Sequence, residues 1–392
     1  MLMSKSIGSA VLLFLLFFSL VNSLMLGPVS FVLEIERSVL GLIPFLILLI
    51  SVIRYRYSRK ISIDKNNFFL LLLLLAYLIL SVRMTWAIDY LYIFVFVIPS
   101  VLLLLATLDF TEYIFSKRYV IMLNLILIAF FVEIFLFSLH EERLRLSRLD
   151  PNSLAKYLYI YILYFACIVV SSNGRINILY YLTMIFACLV ALKTLSVGVL
   201  LVFVFVCLIS YSFNIKYKLS IGNEVVRVIF KVILISILVE QVVSSLFVDI
   251  YSFTIIDKFK FLTILDSGYN TILSRIEVYE TVGDNAINGN INLTGGGVSL
   301  GSITTPHNIF LEFYLVGGLF MLIGFVYLIG KSSLSYLKDY TRKHDLVSYF
   351  LLFMFMFHLG LSLIGGEFYS HYLLIALICN KFFNCSLSHV RY

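Results

Sequence analysis

His307 and Asn308 follow Thr304-Thr305-Pro306 and precede the apolar run opened by Ile309-Phe310-Leu311, so an imidazole and an amide stand where a polar segment meets a hydrophobic one. Proline suits the first helical position, where its missing N–H would have had no intrahelical partner, and threonine can cap the turn before it. The sequence therefore predicts a helix capped by Thr305, with His307 and Asn308 in its first turn. Free N–H groups and the positive end of the helix dipole make such a turn a site for anions, phosphate included. An unperturbed imidazole titrates at about pH 6.5, so it can take a proton from a hydroxyl at neutral pH. The bland alternative is an interfacial histidine bonded to a neighbouring loop.

Arginine is the other chemically suggestive residue. Arg275 lies upstream of His307, and Arg143, Arg145 and Arg148 crowd the segment Leu139-His140-Glu141-Glu142-Arg143-Leu144-Arg145-Leu146-Ser147-Arg148-Leu149-Asp150-Pro151. A guanidinium offers permanent charge and paired donors to a phosphate-bearing ligand. The same cluster also reads as a solvated turn in which Glu141 and Glu142 pair with Arg145 at helical spacing, a weak surface interaction.

The elements that must position these groups are membrane helices. Of 392 residues, 61% are hydrophobic and 13% charged, and a mean hydropathy of +1.04 excludes a soluble globule. The net charge of +7 gives no nucleic-acid signal, because the Lys and Arg residues sit in short clusters between apolar runs. The five cysteines, Cys167, Cys188, Cys207, Cys379 and Cys385, lie in or beside apolar runs without a CxxC, so neither disulfides nor zinc are suggested. Apolar runs occupy roughly 7 to 26, 38 to 53, 67 to 82, 90 to 108, 119 to 137, 154 to 171, 177 to 192, 195 to 212, 228 to 247, 307 to 330, 346 to 364 and 369 to 383. The first is long for a signal peptide and lacks a small-x-small cleavage site. The expected fold is thus an all-α polytopic membrane protein of about 12 transmembrane helices. It divides into helices 1 to 9 over 1–247, one large loop over 248–305, and helices 10 to 12 with the C-terminus over 306–392.

Cations set the orientation, because short loops rich in Lys and Arg stay in the cytoplasm. Arg54, Arg56, Arg59, Lys60, Lys117, Arg118, Lys216, Lys218, Lys338, Arg342 and Lys343 all fall on one side. That side is cytoplasmic, both termini lie on it, and the large loop lies outside. Loops this long are usually functional. This one alternates aromatics and charges over Tyr251, Phe253, Asp257, Lys258 and Phe259. It then offers a short helix over Ser274-Arg275-Ile276-Glu277-Val278-Tyr279-Glu280, and ends in an Asn- and Gly-rich stretch containing Gly295-Gly296-Gly297.

Arg275 before an aromatic-containing helix, a glycine-rich loop, then His307-Asn308 with Phe310-Leu311-Glu312 and Gly317-Gly318-Leu319 entering a span resembles a pattern shared by O-antigen polymerases (Wzy) and O-antigen ligases of the bacterial inner membrane. The topology is similar too: twelve spans, cytoplasmic termini and a large periplasmic loop between spans nine and ten. Asp150-Pro151-Asn152-Ser153-Leu154-Ala155 is similar to another segment of the family. The chain departs where span eight begins. Many members carry Ser-Arg-Gly there, whereas this sequence reads Lys193-Thr194-Leu195-Ser196-Val197-Gly198. Either Lys193 supplies the charge missing at Val197, or the site is arranged differently.

The resemblance implies a glycosyltransferase that needs no metal and no cofactor. It would act on glycans joined to undecaprenyl pyrophosphate in lipopolysaccharide synthesis, beside a chain-length regulator and a flippase. Displacing pyrophosphate by a sugar hydroxyl requires a base and compensating cations. His307 and Arg275 would be catalytic. Arg148, Arg145, Lys193, Asn308, Asp150 and Glu367 would bind pyrophosphate or glycan, Glu367 with the alternative of orienting His307. The polymerase is the first expectation and the ligase the second. A lipid-linked oligosaccharide flippase is the rival class, though transporters work through midplane charges and short loops. Glu34-Ile35-Glu36 is the short-spaced carboxylate pair a metal-dependent variant would use, and paired acids before a span are usually just solvated. Glu133, Glu240, Gln241, His358 and His371 lie in or near spans, where ionisable residues are costly and often functional; Glu240 with Gln241 leads these. A reporter active only outside the cytoplasm, fused at Gly296, is expected to be active; an inactive fusion reverses the orientation.

Overall fold

A computed structural model describes residues 117–138, 151–171, 178–194, 196–246, 276–284, 286–288 and 308–364, with residues 72, 73, 76, 374, 377 and 378 besides. Nearly all of these are helical. Seven helices are delimited: α1 (Lys117–Ser138), α2 (Pro151–Ser171), α3 (Ile178–Lys193), α4 (Val197–Lys216), α5 (Ser220–Leu246), α6 (Ile309–Lys343) and α7 (Leu346–Ile364). Four of them, α2, α4, α6 and α7, are long and apolar enough to cross a membrane. The protein is therefore a helical membrane protein, as its composition requires. The first four apolar runs, the last run and most of 248–305 lie outside the described residues, apart from the isolated positions above. The chain forms two compact units. One contains α1 to α5 with Tyr340–Met354. The other contains the described residues of Thr281–Asp339 and those from Phe355 onward.

In the first unit, α3 packs against α1, α2 and α5, and α5 also against α2 and α4. The buried face of α3 includes Ala187, Cys188 and Ala191, small residues that let helices approach where hydrophobic burial gains nothing over lipid. On α4 both faces are apolar, unlike a soluble helix. Val199, Phe203, Val206, Cys207 and Asn214 are buried, while Leu201, Phe205 and Leu208 project outward, each at least half exposed. That outer stripe suits acyl chains.

Polar side chains then tie the helices. The Thr183 hydroxyl lies 2.6 Å from Asn124 Oδ1 and 2.9 Å from the Leu179 carbonyl, linking α3 to α1. At one end of α4, Tyr340 OH donates to Asn214 Oδ1 at 2.9 Å, Asn214 Nδ2 donates to Ser210 Oγ at 3.3 Å, and Ser210 Oγ lies 2.9 Å from Tyr349 OH. Asn214, Tyr340 and Tyr349 are buried. A ladder of rings leads away from them: Tyr340 to Tyr349 at 5.3 Å, Tyr349 to Phe353 at 6.1 Å, Phe353 to Phe203 at 5.6 Å, and Phe203 stacked on Tyr159 at 4.6 Å. Gly222 closes the cluster, since a Cβ there would strike the Asn214 side chain and the Tyr340 hydroxyl.

The turns beside this cluster have clear local causes. After α4, Lys218 takes φ 56°, its N–H bonds the Ile215 carbonyl, and the Leu219 N–H bonds the Asn214 carbonyl at 2.8 Å. This is the paired closure of a Schellman motif, with lysine in the left-handed position usually held by glycine. After α6, His344 takes φ 52°, and Asp345 Oδ1 accepts the Ser348 N–H at 2.6 Å, capping α7 at its third residue.

Two helices outrun their hydropathy. α5 begins at Ser220, well before the apolar run near 228, and α6 continues to Lys343, past the run ending near 330. Hydropathy marks where lipid ends, and Glu, Lys and Arg are good helix formers beyond that limit.

The polar cluster predicts a coupled loss of stability. Asn214→Leu is expected to cost about 2 kcal/mol and Tyr340→Phe about 1 kcal/mol, the double variant losing less than the sum because the two changes remove one shared bond. Thermal unfolding of purified protein measures this, and strictly additive losses contradict it.

Candidate functional site

Of the residues expected to form the site, His307, Arg275, Arg145, Arg148, Asp150 and Glu367 lie outside the described residues, as does the side chain of Glu133. Asn308, Lys193 and the departure at Val197 are described. Residues 276–284 are helical, so the short helix expected after Ser274 extends over the positions following Arg275.

Asn308 is the cap of α6. Its Oδ1 accepts the N–H of Phe310 at 2.9 Å and of Leu311 at 3.3 Å, and its own carbonyl accepts the Glu312 N–H at 3.0 Å. The helix thus starts at Ile309 rather than at the position after Thr305. Asparagine is the better cap of the two, because its carbonyl oxygen reaches two N–H groups at once. Asn308 Nδ2 donates to the Leu363 carbonyl at 3.2 Å, a carbonyl in the last turn of α7 with no intrahelical partner of its own. Both ends of the Asn308 amide are therefore engaged in fixing the start of α6 to the end of α7. They leave two of the first-turn N–H groups unavailable to an anion.

The same helix contains a break invisible to hydropathy. Gly318 has φ 68° and ψ −161°, a region essentially restricted to glycine. The Phe313 and Phe325 rings stack at 4.1 Å and 7°, and Phe310 lies 5.5 Å from Phe325. On a straight helix, twelve residues separate two Cα atoms by about 18 Å, so the chain folds sharply back at Gly318. The expected span of 307–330 is accordingly a short capped arm, Ile309 to Gly317, followed by the long rod from Leu319. The buried Glu312 lies in the first turn of the arm, where a carboxylate complements the helix dipole. The pair Gly317-Gly318 was legible as a motif, but the bend it makes was not.

Lys193 ends α3, and its ammonium lies 3.0 Å from Glu240 Oε1 on α5. Glu240 is 4% exposed. The turn that follows is tight: Thr194 Oγ1 donates to the Ala191 carbonyl at 2.6 Å and accepts the Ser196 N–H at 3.3 Å. Ser196 stands at the cap position of α4 without making a side-chain capping bond. Val197 opens α4. The lysine thus sits in the turn before the position where the resembling family has arginine, with its charge already met by a carboxylate. Glu240, seen in the sequence as an intramembrane acid, is thereby tied to Lys193, a pairing that sequence spacing had no means to show.

Two substitutions test this geometry. Asn308→Ala is expected to cost about 1 kcal/mol for the lost cap, and Asn308→Asp less, since a carboxylate still caps while losing the bond to Leu363. Gly318→Ala is expected to cost about 1–3 kcal/mol from backbone strain. Thermal unfolding reads both; an Ala variant at Gly318 as stable as wild type removes the bend.

No protein-family model, no curated protein and no solved structure matches this chain.

Proposed function

We propose that the chain is an O-antigen polymerase, a periplasm-facing glycosyltransferase that extends undecaprenyl-pyrophosphate-linked repeat units. In this reading it crosses the bacterial inner membrane twelve times, with both termini cytoplasmic and the large loop between spans nine and ten in the periplasm. A hydroxyl oxygen of the incoming repeat unit attacks the anomeric carbon of the growing chain. His307 takes the hydroxyl proton, the glycosidic bond forms, and the bond to undecaprenyl pyrophosphate breaks with its electron pair leaving on phosphate. Arg275, with Arg148 and Arg145, compensates the charge developing there.

The observation that carries the reading is the double engagement of Asn308. It caps α6 and bonds the Leu363 carbonyl, and it is the residue following His307 in the chain, as Leu363 precedes Glu367 by four residues. A general base must be held in place, and the capping, doubly fastened Asn308 gives the residue before it in sequence a fixed neighbour. The bend at Gly318 adds support, because backbone that leaves the helix at membrane depth is tolerated only where it is buried in protein or lines a water-filled cavity.

Deletion followed by electrophoresis of lipopolysaccharide tests the function. The expected result is core bearing a single repeat unit. Core bearing none supports a ligase or a flippase, and an unchanged ladder defeats all three readings. His307→Ala and Arg275→Ala are each expected to abolish long polymer while the protein still inserts. Arg275→Lys is expected to fall as far as Arg275→Ala if pyrophosphate is bound through two guanidinium donors. Full polymer length in both alanine variants removes these residues from the reaction.

A further inference from the structure

The Lys193–Glu240 pair leaves unfinished hydrogen bonding behind it. Glu240 Oε1 faces the ammonium, while Oε2 is buried with no hydrogen-bond partner among the described residues. Ser196 Oγ, three residues after Lys193 in the same turn, is likewise buried and without a partner among them. Serine at a cap position normally satisfies a first-turn N–H, and here it does not. An ammonium has three protons and a carboxylate about four acceptor sites, so the pair retains capacity on both sides. Buried polar atoms left open in this way are normally completed by a ligand or by ordered water.

The location matters as much as the inventory. α4 has 20 residues and so runs about 30 Å, the thickness of a hydrocarbon core. Asn214 and Tyr340 meet near its last turn; Ser196 stands before its first. Ser236, one turn below Glu240 on α5, donates to the Ile185 carbonyl of α3 at 3.4 Å, so this face of α5 is turned toward α3 up to the level of Lys193. Lys193 and Ser196 therefore lie at the other end of α4 from the cluster of tyrosines, with Glu240 facing Lys193 from α5.

The chemistry of the set selects its ligand. A free phosphate wants donors only, and the open carboxylate oxygen would repel it. A metal cation would be repelled by the ammonium. A hydroxyl both donates and accepts: it can give its proton to Glu240 Oε2 and receive one from Lys193 or Ser196. We infer that Glu240, Lys193 and Ser196 form a hydroxyl-recognition site that holds a sugar of the glycan, with Lys193 serving the carbohydrate rather than the pyrophosphate. The identity of the ligand rests on the polymerase reading; the site itself rests on the open atoms.

The test uses full-length purified protein and two probes. One is the host's lipid-linked repeat unit, and the other is undecaprenyl pyrophosphate bearing no sugar. Wild type is expected to bind the first at least tenfold more tightly than the second. Exchanging a buried ion pair for apolar residues is usually tolerated by the fold, so the double variant Lys193→Met with Glu240→Met is expected to keep its unfolding transition yet lose that discrimination. Glu240→Gln keeps an acceptor toward Lys193 and presents a donor where the carboxylate accepted; it is expected to weaken the glycosylated probe tenfold or more and leave the bare lipid unchanged. It stands in if the double variant fails to fold. Ser196→Ala is expected to lose about threefold. Discrimination unchanged in these variants overturns the inference and leaves the pair as a clamp completed by water. Wild type that does not discriminate overturns it as well. These failures are distinct from failure of the polymerase reading, which shows as a normal ladder in cells lacking the protein.

Discussion

A chain this apolar has no water to turn to along most of its length, so every polar atom carried into the bilayer must be satisfied by another part of the protein. That constraint explains more of the described structure than hydrophobic burial does, since lipid is as good a solvent for leucine as a neighbouring helix is. The contacts between helices that have identifiable direction are polar: Thr183 to Asn124, Tyr340 to Asn214, Ser210 to Tyr349, Tyr336 OH to the Leu377 carbonyl at 2.8 Å. Aromatic rings and small residues fill the space around them. Where the constraint is met completely, as around Asn214, the outcome is a fixed helix end. Where it is met by halves, as at Glu240, a buried carboxylate oxygen is left without a partner among the described residues.

What could be read from the sequence, and what could not, divides along the same line. Apolar runs and cation clusters located the helices, because bilayer thickness and loop charge act on composition alone. The runs near 119, 154, 177, 195 and 346 correspond to α1, α2, α3, α4 and α7 within a few residues. Helix ends were less legible, because Glu224, Arg227 and Lys338 stop a hydropathy window without stopping a helix. The Gly318 bend escaped for a related reason. Glycine is common in membrane helices, and its permitted left-handed φ leaves no mark on composition; the backbone angles at Gly318 and the stacking of Phe313 on Phe325 reveal that the chain turned.

The candidate site was legible as residue types and not as partners. Asn308 was read as a ligand-binding amide in a first turn capped by Thr305, and the structure makes it the cap itself. Both assignments follow from the same preference of short polar side chains for helix starts, and the sequence offered three such residues within five positions, Thr304, Thr305 and Asn308, with no means to rank them. Choosing among them depended on a carbonyl 55 positions away at Leu363. Long-range partners of this kind are what a single sequence withholds.

Lys193 makes the most instructive case, because its pairing with Glu240 bears on what its charge is free to do. A cation near the start of α4 stands in for the arginine found there in the resembling family only if its charge is free. Within 3.0 Å of a buried carboxylate the charge is matched, and an incoming pyrophosphate would have to displace Glu240 and strand an anion in the bilayer, which costs several kcal/mol. An arginine could hold a carboxylate with one edge of its fork and a phosphate with the other; a lysine ammonium is a single point of charge and cannot be divided in that way. Under the proposed polymerase reading, Lys193 is therefore placed to arrange a hydroxyl rather than to compensate a leaving group, and Val197 stands where the resembling family has arginine.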